Sequence, residues 1–308
     1  MKQSTNVILM IRPAHFGYNE QTAENNSFQT KPGLEVKVGD VQKLAAIEFD
    51  QFVELLRQVE IKVLVYDDPG DPVKPDVIFP NNWFSTHEDG SLITYPMFAE
   101  NRRLERDEKL IEQIDHSYLI KDRYSFEQYE DENIFLEGTG SMILDRQHKI
   151  VYACLSKRTD ISLLDKFCLL KSYKKVAFHA SGSNDVPIYH TNVMMALGSQ
   201  FAIVCLEVIK DNDERTLLRK TLNRTGKTII EITEEQMNHF AGNMLEVKNQ
   251  SDETIIVMSR TAKKSLTKPQ LKRLSDFGTI LSADIPVIEK YGGGSVRCMM
   301  AEIFLPEK

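Results

Sequence analysis

Four cysteines, Cys154, Cys168, Cys205 and Cys298, are all that 308 residues carry, with no paired spacing and no C-x-x-C. That argues against a disulfide framework and a cysteine-rich zinc site, and it makes a reducing cytoplasm the expected compartment. Positive charge is also short: 38 Lys and Arg against 45 Asp and Glu leave a net charge of −7. A general nucleic-acid binder takes its affinity from cations on phosphates, so that class is disfavoured and small-molecule work is favoured. Long apolar runs are missing. Val7–Ile11 ends at Arg12, too short for a signal-peptide core or a membrane span, and reads as a buried strand. No low-complexity segment and no clear linker interrupts the 308 residues, a length that allows one large domain or two of ordinary size. Also absent are a P-loop, a G-x-G-x-x-G opening a helix after a strand, and the H-x-E with P-C-x-x-C of zinc deaminases. With 42% apolar residues, the chain has enough for a substantial core.

What is present is a rhythm. Apolar residues at helical spacing predict helices over 45–57, 102–114, 163–172, 214–223, 234–240 and 268–277. Short β-branched runs predict strands over 61–66, 77–79, 92–95, 134–136, 142–144, 150–153, 193–196, 201–206, 228–232, 244–247 and 254–258, with a closing strand over 296–304. Strand, strand, helix and strand recur about every 50 to 60 residues, which suits radial or stacked units better than a doubly wound sheet.

Three stretches stand out chemically. Gly292-Gly293-Gly294-Ser295-Val296-Arg297-Cys298 sets a thiol behind a run of glycines at the mouth of the last strand. Tyr189-His190-Thr191-Asn192, read as extended, points His190 and Asn192 to one face. Phe135-Leu136-Glu137-Gly138-Thr139-Gly140 ends a hydrophobic strand on a carboxylate. Each alone also fits a structural role: a core cysteine, a core histidine bonded to backbone, an exposed turn acid. Together they supply thiol chemistry, in which a thiolate attacks and a histidine moves the proton. The order Glu137, His190, Cys298 is not that of papain-like enzymes, whose cysteine comes first. Cys154, Cys168 and Cys205 read as core, and His179 and His239 as structural. The polar loop from Asn19, with His15 before it and Asn25 within it, could cover a site.

At these residues the sequence resembles the guanidine-modifying (pentein) superfamily of arginine deiminases, dimethylarginine dimethylaminohydrolases and amidinotransferases. The resemblance implies an α/β fold, a five-bladed pseudo-symmetric propeller of ββαβ units, built by residues 1–308 as one catalytic domain. It implies Cys298 as nucleophile, His190 as proton shuttle and Glu137 as the carboxylate partner. Leu155-Ser156-Lys157-Arg158-Thr159 resembles a dimethylaminohydrolase segment whose arginine binds the substrate's α-carboxylate, a role that falls on Arg158, with Arg102 or Arg103 as a second contact. No metal and no organic cofactor is implied.

Where arginine-using members hold the guanidinium with two further carboxylates, this chain has Asn81-Asn82 and Asn192. A guanidinium offers only donors, whereas a ureido group offers a carbonyl acceptor and NH donors, which amides match. The implied substrate is therefore a ureido amino acid, citrulline above all. This agrees with a likeness to bacterial citrulline-utilisation hydrolases, which carry Asn-Asn-Trp-Phe and Arg-Pro-x-x-Phe-like segments such as Arg12-Pro13-Ala14-His15-Phe16. The expected partner is a small amino-acid substrate, with no nucleic acid and no membrane; assembly into a homo-oligomer stays open. Alternatives are arginine or methylated arginine as substrate giving citrulline, amidino transfer to an acceptor amine, and a non-catalytic binding member of the same fold.

Overall fold

The computed structural model describes residues 1–33, 35, 37–183 and 185–308. Its strands form three-stranded sheets of one repeated pattern, in which the middle strand pairs antiparallel with the first and parallel with the third across a helix. In chain order, β1 (Val7–Arg12), α1 (Val38–Gln58) and β2 (Lys62–Asp67) open the chain. Then come β3 (Phe84–Thr86), β4 (Ser91–Thr94), α2 (Glu108–Ser117) and β5 (Asp122–Ser125). The next unit is β6 (Ile143–Asp145), β7 (Ile150–Cys154), α3 (Ile161–Lys171) and β8 (Lys174–Phe178). It is followed by β9 (Met195–Leu197), β10 (Phe201–Val204), α4 (Asn212–Arg224) and β11 (Thr228–Glu231). The last full unit is β12 (Leu245–Lys248), β13 (Thr254–Ser259), α5 (Lys268–Ser275) and β14 (Thr279–Ala283). After α6 (Pro286–Gly292), β15 (Ala301–Glu302) pairs antiparallel with β1, so the fifth sheet is shared by the two ends of the chain. This is the five-unit α/β propeller expected from the sequence.

The sequence explains the layering. The middle strands β7, β10 and β13 read Ile-Val-Tyr-Ala-Cys, Phe-Ala-Ile-Val and Thr-Ile-Ile-Val-Met-Ser, and all but Thr254 are buried, as strands covered on both faces should be. The third strands are more polar; β5, Asp-Arg-Tyr-Ser, is exposed throughout. Helices cover the outside with one apolar face: Phe49, Phe52 and Leu56 of α1 join Ile8 and Met10 of β1 in one cluster. Their starts are set locally. Asp107, Asp160 and Asp211 cap α2, α3 and α4 with their side chains, and Thr267 with Gln270 forms a capping box on α5.

Several expected elements differ. Residues 77–79 form no strand, because Pro80 opens a tight 3-10 turn, Pro80–Asn82, right after them. The helix expected over 102–114 breaks in two, Glu100–Arg103 and α2, since Arg102 turns inward and Asp107 caps a fresh start. Residues 134–136 make only a single bridge, Leu136 to Thr159. The closing strand over 296–304 shrinks to β15, and the residues before it, like those after His190, form a helical turn. Among the described residues no helix is long and apolar enough to cross a membrane.

Candidate functional site

Each first strand is preceded by a tight segment, and these segments touch one another in sequence. Asn81 Nδ2 donates to Thr139 Oγ1 (3.3 Å), which in turn donates to Asn81 O (3.1 Å). Thr191 Oγ1 donates to Ser141 O (2.5 Å), and Asn243 Nδ2 to Asn192 O (3.0 Å). The Arg297 amide donates to Asn243 Oδ1 (3.0 Å), and the turn Val296–Met299 packs back on Pro80–Asn82. The five units thus meet in a ring of turns, and the reactive side chains sit on that ring. Glu137 leads the turn Gly138–Ser141, His190 leads Thr191–Met194, and Cys298 lies within Val296–Met299. His190 and Asn192 therefore reach the site from a helical turn rather than from one face of a strand, and Cys298 from a turn rather than a strand mouth.

Glu137 is fully buried. Its Oε1 accepts from the Phe98 amide (2.9 Å), and its Oε2 from His190 Nε2 (2.7 Å) and Arg158 Nη1 (3.4 Å). Burial alone would raise its pKa, but Arg158 and the His190 bond, with Arg102 beyond, hold it well below the usual carboxylate range. Burial pushes His190 down, to about 4, against the pull of Glu137. Near neutral pH the imidazole is thus neutral, with its proton on Nε2 facing Glu137. Nδ1 keeps a lone pair and can act as a base. Gly140 makes this packing possible, because a Cβ there would collide with Asn82 Nδ2 and stand 2.8 Å from His190 Nδ1. Cys298, 7% exposed, receives bonds to Sγ from Asn192 Nδ2 (3.5 Å) and Asn243 Nδ2 (3.3 Å).

The expected binding residues divide. Asn82 Oδ1 accepts from Arg102 Nη1 (2.8 Å), which fixes the amide and leaves Nδ2 a buried donor without a partner. Asn192, fixed by its bond to Sγ, leaves Oδ1 a buried acceptor without a partner. Asn81 donates from Nδ2 to Thr139 and accepts from it at its backbone carbonyl, which leaves the side-chain Oδ1 a further buried acceptor without a partner. Arg158 is buried between Tyr189 and Phe98, its guanidinium carbon 4.9 and 5.8 Å from the ring centres. Its Nε donates to Asn25 Oδ1 (2.8 Å), its Nη2 to the same oxygen and to Thr22 O (3.0 Å). A single amide oxygen thus occupies the edge of Arg158 that would grip a carboxylate. Arg102 corrects the expectation made for it. Its guanidinium is spent on Glu105 (two bonds of 2.9 Å), Asn82 and Phe79 O (3.0 Å), so it orients Asn82 and is not offered to a substrate carboxylate. Arg103 turns to Met97 O (3.1 Å) and Glu130.

Two residues of the site escaped the sequence reading. Asp76 is buried, its Oδ2 accepting from Asn19 Nδ2 (2.8 Å) and Thr22 Oγ1 (3.1 Å) while Oδ1 has no partner; burial raises its pKa. Asn243 is the second donor to Sγ, and the only signal for it is that Gly242-Asn243-Met244 precedes β12 as Thr191-Asn192-Val193 precedes β9. The loop from Asn19 does cover the site. Asn26 and Gln29 bond the carbonyls of Gly292 and Gly293, and Asn25 holds Arg158. Gly293, at φ +63, closes α6 in the left-handed region and turns the chain toward Cys298. His15 stands apart, in a surface hollow with Phe16, Tyr18, Val73 and Pro75.

Five ββαβ units closed into a ring, with a carboxylate, an imidazole and a thiol on its inner turns, define a pentein of the guanidine-modifying superfamily. The chain belongs within it to the family described as N,N dimethylarginine dimethylhydrolase, eukaryotic, whose pattern matches residues 12–305. That is a family of hydrolases acting on guanidino C–N bonds. No curated protein matches the chain at a significant level. Among solved structures it is similar to ArgZ, an arginine dihydrolase from the ornithine–ammonia cycle in cyanobacteria, at a TM-score of 0.76 and 15% identity, over 97% of this chain and 41% of that one. It thus spans about two fifths of that enzyme, but 98% of the isolated ArgZ N-terminal domain, solved as a covalent reaction intermediate (TM-score 0.74, 16% identity, 97% of this chain). A dimethylarginine dimethylaminohydrolase, as its adduct with 4-chloro-2-hydroxymethylpyridine, matches at a TM-score of 0.66 and 16% identity, over 97% of this chain and all of that one.

Proposed function

We propose that the chain is a cysteine hydrolase of citrulline, releasing ornithine, ammonia and carbon dioxide, with residues 1–308 acting as one catalytic domain. The observation that carries this reading is the fixed orientation of Asn82. Arg102 can only donate, so Asn82 turns Oδ1 to it and leaves Nδ2 as an unpaired buried donor. A guanidinium has no acceptor to offer that donor, whereas a ureido oxygen does. Asn192 Oδ1 and Asp76 Oδ1 remain as acceptors for the ureido N–H groups and the α-ammonium.

In this reading His190 Nδ1 takes the proton of Cys298, and the imidazolium so formed is held by Glu137 at 2.7 Å. The sulfur forms a bond to the ureido carbon, and its oxygen, gaining charge, draws on Asn82 Nδ2. The C–N bond breaks as His190 returns the proton to the leaving amine, which gives an S-acyl intermediate on Cys298. Water then loses a proton to His190 and adds to the same carbon. The S–C bond breaks, and the carbamate released falls apart to carbon dioxide and the remaining amine. Arg158 holds the α-carboxylate once Asn25 gives up its place. The reading is tested by incubating the protein separately with citrulline and with arginine and assaying ornithine, citrulline and ammonia. Ornithine from citrulline with neither product from arginine is expected. Citrulline accumulating from arginine would make it a deiminase, the reading that the buried carboxylate of Asp76 favours.

A further inference from the structure

A sulfur that must carry negative charge inside a protein needs donors around it, because burial withholds the water that would otherwise solvate it. Cys298 is 7% exposed. Among the described residues the charged and titratable groups near it do not supply a standing cation. From the turn beside it come Tyr189, whose hydroxyl donates to Gly293 O (3.0 Å), and His190, neutral and bonded to Glu137. From its own turn comes Arg297, spent on Met300 O and Glu302 (2.9 Å each). Arg158 faces Glu137 and Asn25. What bonds the sulfur is two neutral amides.

We propose that Asn243 is a catalytic residue, the hydrogen-bond donor that stabilises the negative charge on the Cys298 sulfur once His190 has taken its proton, and that keeps the sulfur aimed at the substrate carbon. The inference deepens the reading above and rests on Cys298 being the nucleophile. One amide makes three bonds. Asn243 Oδ1 accepts from the Arg297 amide (3.0 Å), immediately before Cys298. One Nδ2 hydrogen goes to Asn192 O (3.0 Å) and the other to Sγ (3.3 Å). The backbone amide of Arg297 can only donate, so the side chain cannot turn over, and its NH₂ end is committed to the sulfur. Asn192 divides its amide differently, offering Nδ2 to Sγ at 3.5 Å and leaving Oδ1 for the substrate. Asn243 is therefore the donor that stays with the sulfur throughout. It stabilises the thiolate before attack, loosens as the S–C bond forms and the charge leaves sulfur, and tightens again when that bond breaks and the thiolate departs.

The test is alkylation of Cys298 by iodoacetamide across pH, read by peptide mass, in the parent, Asn243→Ala and Asn243→Asp, with turnover and thermal melting alongside. The profile midpoint should move to higher pH in the order parent, Ala, Asp. Ala removes the donor, and Asp, equal in size and still able to accept from Arg297, sets a negative charge against the sulfur. Alkylation at neutral pH and kcat/KM should each fall about 10- to 100-fold in Asn243→Ala, with KM little changed. A merely structural tether predicts the reverse order, Ala being worse than Asp because it loses every bond, and leaves the midpoint in place. Either result, in variants that melt cooperatively, overturns the proposal. Where one does not melt cooperatively, Asn243→Ser, too short to reach Sγ, is held to the same criterion. Turnover that survives Cys298→Ser would overturn the proposed function and this inference together, whereas an unmoved midpoint beside an inactive Cys298→Ser overturns only the role of Asn243.

Discussion

Under the proposed function, Asn82 is the buried amide that chooses between two charge states of a substrate. Asn82→Asp keeps the size and the bond to Arg102 but replaces the free donor with an acceptor. The expected outcome is a loss of about 100-fold in kcat/KM on citrulline, since the ureido oxygen would face a carboxylate, together with a gain on arginine. Competition between the two substrates, read as the ratio of their kcat/KM values, checks it; an unchanged ratio means Asn82 does not touch the reacting group. At this scale the sequence is most informative where a reactive type stands beside glycines, which is why Glu137, His190 and Cys298 could be named from it. Asp76 could not, because an acid after Lys74-Pro75 reads as a surface turn until Asn19 and Thr22 are seen to bury it. Arg102 was misjudged because sequence distance hides its pairing: Glu105, three residues on, takes the charge that a substrate would have needed.

Elements were legible in proportion to their length and periodicity. The buried middle strands and the outer helices other than α2, whose expected run breaks at Arg102 and Asp107, carry apolar patterns that hold over several turns or residues, and they lie close to where the sequence placed them. The tight segments before each first strand do not, since four residues such as Thr191–Met194 cannot show a helical period and their β-branched content reads as strand. Those segments hold Glu137, His190 and Cys298, so the residues of the proposed site could be named from the sequence while their arrangement could not. A further consequence belongs to α1 and α6. Glu48 of α1 accepts from the amides of Val287 and Ile288, at 2.9 to 3.1 Å, where α6 begins its run toward the glycines and Cys298. Burial raises its pKa from 4.5 to about 7 despite those bonds. The folded state therefore holds a proton that the unfolded state has released, and stability falls as pH rises from 4.5 to about 7. Glu48→Gln keeps an acceptor for both amides and removes the titration. Its melting temperature should exceed the parent's by on the order of 2 °C above neutral pH and lose that margin in acid. A constant difference across pH would assign the effect to packing instead.

Across the whole molecule the ring closes only because the two ends of the chain share a sheet. β15 pairs with β1 through Glu302 with Ile8 and Ala301 with Leu9, the Ile303 amide donates to Val7 O (3.0 Å), and Thr5 Oγ1 donates to Ile303 O (2.7 Å). Ile303, Phe304 and Leu305 are buried behind this clasp, and Arg146 lies 3.8 Å from the centre of the Phe304 ring. Each such side chain contributes about 1.5–3 kcal/mol on burial, an upper estimate that together still rivals the roughly 5–15 kcal/mol stability of an ordinary domain. The turn of Cys298, Val296–Met299, is held between this clasp on one side and Asn243 on the other. Removal of residues 301–308 should therefore do more than trim an end: it opens the sheet, exposes β1 as an unpaired edge and frees the turn that aims Cys298. The truncated chain is expected to lose its cooperative melt, to be cut by protease at low concentrations that spare the parent, and to show no turnover of citrulline. Retention of a parent-like melt with only turnover lost would mean that the remaining four units and the β1–β2 pair stand on their own, and that the clasp serves the nucleophile rather than the ring.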